Sequence, residues 1–152
     1  MSGENKGSAP GAEPVKKPVV QFRAVPRDLP DREPFANLTP HGKLLLLVLK
    51  LTLGPAGIEV ISPRRFAATF EERTGLTPAE LETSLNELRD AGCLEIERSV
   101  VWCVWQLAEE PTMRPSNPTH RLKIQRDIAM LPEQPIRERF KVTYREWFSD
   151  GT

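Results

Sequence analysis

Residues 62–105 read SPRRFAATFEERTGLTPAELETSLNELRDAGCLEIERSVVWCVW, and two helices followed by a β-hairpin are legible in that string. Ser62-Pro63 and Thr77-Pro78 each place an oxygen-bearing cap ahead of a proline. The cap accepts from a free N–H of the first turn, while proline has its φ preset and needs no donor there. Phe66 and Phe70 lie four apart on one face of the first helix, and Gly75 ends it. In the second, Thr77 and Glu80 are spaced as a capping box. Leu81, Leu85 and Leu88 line one of its faces, and Ala91-Gly92 closes it. The link from Gly75 to Thr77 is the short turn of a helix-turn-helix. Leu94, Ile96, Val100, Val101, Trp102, Val104 and Trp105 then give β-prone strands around a tight reversal at Arg98-Ser99.

Upstream, Thr39-Pro40 opens a helix that runs to about Leu53 and stops at Gly54-Pro55. Its Leu44 to Leu49 segment is apolar all round, which predicts a helix buried on most sides. Ile58, Val60 and Ile61 read as a short strand joining the first helix to the second. Downstream, Asn117-Pro118 opens a fourth helix with Ile124, Ile128 and Leu131 on one face. Pro135 opens a fifth, with Ile136, Phe140, Tyr144 and Trp147 on one stripe. The expected fold is mainly α with a small β-hairpin (α+β). Residues 35–110 form a winged helix-turn-helix, and 111–152 a helical hairpin packed on the wing. Residues 1–34 read as a disordered, proline-rich tail, with Pro26, Pro30 and Pro34 keeping the chain extended. Within it, Val19 to Val25 is either a short strand at the domain edge or the end of the tail. Trp102 and Trp105 have opposite strand parity, so one faces the core. The other lies under the last two helices or is exposed to a partner.

Composition excludes several classes. The 152 residues fit one domain, with 21 Lys and Arg balancing 21 Asp and Glu. The run from Leu44 to Leu53 carries Lys50 and is too short to span a bilayer, and the N-terminus lacks the apolar stretch of a secretory signal. The expected location is the cytoplasm. Cys93 and Cys103 are expected to be buried, reduced thiols, and with only His41 and His120 beside them no zinc site is expected. His120, in the first turn of its helix, reads as a packing or backbone-bonding residue. No phosphate loop, nucleophile elbow or paired-histidine helix occurs, so neither catalysis nor a cofactor is expected.

Charge is uneven along the chain. Residues 38–111 carry a net −4 and residues 112–152 a net +3. The third helix, which enters the major groove in the usual docking, holds Glu80, Glu82, Glu87 and Asp90 against Arg89. Phosphates repel such a face, although Thr83 and Asn86 are suited to base edges. Positive charge lies at Arg64 and Arg65 on the second helix, Arg98 at the wing tip, and Arg121, Lys123 and Arg126 on the fourth helix. On the fifth, Arg137, Lys141 and Arg145 recur every four residues and form one stripe. That row is either a solvated face or a line of phosphate contacts.

From Leu38 onward the chain resembles phage and prophage winged-helix proteins of the replication-initiator or replisome-organiser type. The resembling residues are Leu44-Leu45-Leu46-Leu47, Gly54-Pro55-Ala56-Gly57, Arg73-Thr74-Gly75-Leu76-Thr77 and Val100-Val101-Trp102. Further along they are Pro115-Ser116-Asn117-Pro118-Thr119-His120-Arg121, Leu131-Pro132, Pro135-Ile136, Phe140, Tyr144 and Trp147-Phe148. These motifs span about three quarters of the chain and are mostly structural. The resemblance implies a winged helix acting in DNA replication or transcription control. Members with a replication role carry a further C-terminal region for the helicase or its loader; here the chain stops at Thr152, so that part is expected to be missing or on another protein.

Two functional expectations result. One is a DNA-binding protein contacting phosphates through Arg64, Arg65, Arg98, Arg121, Lys123, Arg137, Lys141 and Arg145. The other is a protein-interaction module that offers Glu80, Glu82, Asn86 and Glu87 to a basic partner, such as a replication or transcription protein. Helices four and five serve a homodimer contact as readily as a cap on the core.

Overall fold

All four cap–proline pairs open helices in the computed structural model, which describes residues 25–149. They are α1 (Pro40–Thr52), α2 (Pro63–Thr74), α3 (Pro78–Asp90) and α4 (Pro118–Ala129). Thr39, Ser62 and Thr77 accept from the backbone N–H three residues on, and Asn117 accepts from those of Thr119 and His120. The capping box is complete, with Glu80 reaching back to the Thr77 amide at 2.9 Å. Gly75 ends α2 in the left-handed conformation at φ 74°, as a glycine cap does.

Strands β1 (Ile58–Val60), β2 (Leu94–Glu97) and β3 (Val100–Cys103) form an antiparallel sheet in the order β1-β3-β2. The register pairs Ile58 with Trp102 and Leu94 with Cys103. Elements therefore follow the order α1-β1-α2-α3-β2-β3-α4, then α5 (Pro135–Thr143). The molecule is mainly helical with one small sheet, as the patterning predicts.

Two apolar clusters share that sheet. Leu45, Leu49, Phe66, Phe70, Leu81 and Leu88 of α1 to α3 pack with Leu94, Val101 and Cys103. Ile124 and Ile128 of α4, Ile136 and Phe140 of α5, Tyr144 and Trp147 pack with Ile58, Val100 and Trp102. Successive β3 side chains thus enter opposite clusters, and all four of its residues are buried. Leu44 and Leu51 are exposed, so α1 is not buried on every side.

Three sequence expectations need correction. The β-stretch ends at Cys103 and leaves out Val104 and Trp105: Trp105 lies beyond the strand and is 47% exposed, while Trp102 is the buried ring beside Phe140 and Tyr144. The chain from 25 to 34 is not an extended tail. It forms a 3-10 turn at Leu29–Asp31, with a second at Phe35–Asn37, and Leu29 and Phe35 join the first cluster. An apolar side chain at each turn supplies the burial that proline content alone conceals. Residues 1–24 of the expected tail lie outside the described residues, as does most of the Val19 to Val25 segment. Finally, α5 ends at Thr143 because Tyr144 turns out of helical geometry (φ −113°, ψ 41°), its hydroxyl donating to the carbonyl of Val104. A 3-10 turn, Arg145–Trp147, then delivers Trp147 to the second cluster.

Candidate functional site

The amide of Ile61 donates to the carbonyl of Ser99 at 2.7 Å. That bond fastens the tip of the β2–β3 hairpin to the residue just ahead of the Ser62 cap. Arg98, the residue before Ser99, and Arg64 and Arg65, three and four residues past Ile61 in the first turn of α2, thus flank this junction along the chain, and all three are exposed. None of the three has an ion-pair partner among the described residues. The first-turn amides of α2 add partial positive charge at the same end. Arg98 also adopts φ +54°, a left-handed position that is costly for a non-glycine residue by about 1–2 kcal/mol. Glycine is the residue that backbone favours.

The other expected cations are more dispersed. Arg121 is half-buried and donates to the carbonyl of Pro115, and Lys123 pairs with Asp127 at 3.0 Å. Arg137 donates to the carbonyl of Leu131, and Lys141 lies over the Phe148 ring at 5.7 Å. Arg145 is exposed but sits in the 3-10 turn past the end of α5. The stripe of Arg137, Lys141 and Arg145 therefore does not exist as one helical row. Arg139, which the periodicity did not single out, instead bridges Glu95 at 2.7 Å and Glu97 at 3.5 Å and ties α5 to β2. His120 is a backbone-bonding residue, its Nδ1 accepting from the Arg114 amide at 3.1 Å.

On α3 the four acidic positions have different employments. Glu80 is committed to the capping box, and those bonds from Thr77 hold its carboxyl below the usual range. Glu87 reaches across to the start of α1, where it accepts from the Thr39 amide at 2.7 Å and the Thr39 hydroxyl at 2.6 Å. A side chain on Gly42 would place its first carbon 2.2 Å from Glu87 Oε1, so the bare backbone there makes room for the carboxylate. The exposed residues of α3 are Pro78, Ala79, Glu82, Thr83, Asn86, Arg89 and Asp90, and the hydrogen-bonded Glu80 side chain is still 43% exposed. A groove of about 620 Å³ runs beside it, lined in part by Asn37, Thr83, Asn86, Glu87 and Asp90.

This geometry predicts a difference between two glutamates that look alike in sequence. Glu87→Ala removes two hydrogen bonds to a charged acceptor and should cost about 1–2 kcal/mol. Glu82→Ala, at an exposed position, should stay within about 0.5 kcal/mol of the parent. Urea unfolding of both variants measures the contrast; equal midpoints would mean that Glu87 does not anchor α1.

No group of three histidine, cysteine or acidic side chains arranged to hold a metal occurs among the described residues. None of their helices is long and apolar enough to cross a membrane. No family model matches the chain, and no curated protein or solved structure matches it either.

Proposed function

We propose that the chain is a non-catalytic winged-helix protein of phage type that binds duplex DNA chiefly through its phosphates, in replication initiation or transcription control. The reading rests on the Ile61–Ser99 bond, which joins the hairpin tip that carries Arg98 to the segment leading into α2 and its exposed Arg64 and Arg65. Guanidinium groups suit phosphate oxygens because their planar donors can bond two at once. Each phosphate neutralised also releases condensed counterions, which supplies affinity that salt removes. In this docking α3 lies next to the groove with Thr83, Asn86 and Arg89 toward the bases, while Glu80 and Glu87 are engaged with Thr77 and Thr39.

Fluorescence anisotropy with labelled random duplex DNA across a salt series tests the reading. Three phosphate contacts should give a slope of log affinity against log salt near about −2.7. The triple change Arg64→Glu, Arg65→Glu and Arg98→Gly should weaken binding at least tenfold and flatten that slope. Arg98→Gly relaxes the left-handed backbone, so a loss of affinity without a loss of stability is the expected signature at the tip. An unchanged affinity in the triple variant would refute the placement.

A second reading has one observation behind it. The groove beside Asn86 and Glu87 offers a concave face to a protein partner, with Glu82 and Asp90 exposed near it for basic side chains. It expects partner capture to depend on Glu82 and Asn86 while duplex binding does not.

A further inference from the structure

Beneath the N-terminal turns lies a pocket of about 300 Å³ whose walls include Leu29, Phe35, Leu46, Trp105 and Ala108. Lys50 of α1 also lines it, with its side chain only 5% exposed and paired to Glu109. The other oxygen of Glu109 accepts from Arg32 at 3.4 Å, and Arg32 in turn pairs with Asp28 at 3.0 Å. The N-terminal turns, α1 and the segment after β3 thus meet at one carboxylate.

A lysine this far from water has given up hydration worth several kcal/mol and requires an anion beside it. A packed apolar residue at position 50 would serve stability as well, so an ion pair on a pocket wall points to use. The two partners differ in freedom. Glu109 is 17% exposed and lies in a run of turns between β3 and α4, so it can swing into water. Lys50 is buried on the same face of α1 as Leu46 and Leu49, with less room to leave. The exchangeable member of the pair is the carboxylate, and whatever displaces it must be another anion.

We propose that this pocket binds a small apolar monocarboxylate, whose carboxylate replaces Glu109 on Lys50 and Arg32. Its apolar body rests on Leu29, Phe35, Leu46 and Trp105. The pocket is at the small end of the range for ligand sites, which favours a short chain or a single ring. Cys93 and Cys103 line it too. Burial pushes both thiols up, so they stay protonated and add no negative charge to the wall. Glu33 stands exposed among the lining residues and disfavours a second negative charge on the ligand.

Octanoate is a suitable probe, followed by tryptophan fluorescence for affinity and by calorimetry for stoichiometry, with octylammonium as the opposite charge. The full chain should bind octanoate saturably at one per molecule and octylammonium not at all. Lys50→Met should weaken octanoate binding at least tenfold. Ala108→Trp starts from an exposed lining position and adds bulk to the pocket; it should also weaken binding at least tenfold, with the melting temperature retained. Failure of octanoate to saturate, equal binding of octylammonium, or unchanged affinity in both variants would overturn the proposal. No DNA enters these measurements, so this inference and the nucleic-acid reading stand or fall separately.

Discussion

Trp102→Ala is expected to lower stability by about 4 kcal/mol and to loosen the C-terminal helices before the rest of the molecule. Trp102 is 1% exposed and packs edge-on to Phe140 at 5.5 Å and Tyr144 at 6.5 Å, so truncation leaves a large void between β3 and α5. The α1–α3 cluster lies on the other face of the sheet and keeps its own contacts. Hydrogen exchange should therefore show protection lost first in α4 and α5 and retained in α1 and α3. The indole Nε1 is buried without a hydrogen-bond partner among the described residues. Trp102→Phe then deletes volume and no bond, and should cost about 1–2 kcal/mol less than the alanine change. Equal losses for phenylalanine and alanine would show that the ring does not fill the gap as described.

The second large effect is at alkaline pH. Burial pushes the Cys103 thiol up to about 12 and the Tyr144 phenol up to about 12, and it raises Cys93 as well. In the unfolded chain these groups lose their protons at ordinary values, near 9 for cysteine and 10 for tyrosine. Between those values and the folded ones, the unfolded chain ionises while the folded chain does not, so unfolding gains. Stability is thus fully present below about pH 9 and declines as pH rises toward 12. By pH 11 the combined loss from Cys103 and Tyr144 should be on the order of 3–4 kcal/mol. Cys103→Ala should make the decline shallower, leaving Cys93 alone to contribute below the tyrosine range. Equal urea midpoints at pH 8.5 and pH 11 would show that these side chains are not shielded from water.

The cation cluster illustrates how far the linear pattern carries. Arg64, Arg65 and Arg98 are each visible as turn-proximal charges, but Arg98 lies more than thirty residues along the chain from the other two. Only the β1–β3 pairing and the Ile61–Ser99 bond join the segments that carry them. The apparent stripe of Arg137, Lys141 and Arg145 fails for a complementary reason. It assumes that α5 continues past Thr143, whereas Tyr144 is drawn across to Val104, a partner 40 residues away. Glu87 reads as one more solvated acid in a helix, yet it is the anchor for Thr39 across 48 residues. Lys50, alone in an apolar run, was the one signal that a buried partner existed; nothing in its neighbourhood named Glu109.

By itself the sequence determined the starts of the helices, the hairpin turn and the α+β class. Caps, proline at the first turn and apolar spacing act within three or four residues, and no distant partner is needed to satisfy them. Tertiary structure alone decided which face of β3 meets which cluster, where α5 ends, which acids of α3 are hydrogen-bonded, and which segment the hairpin tip joins. Those outcomes depend on side chains meeting across tens of residues, and a burial or a hydrogen bond made at that distance leaves no periodic trace in the chain.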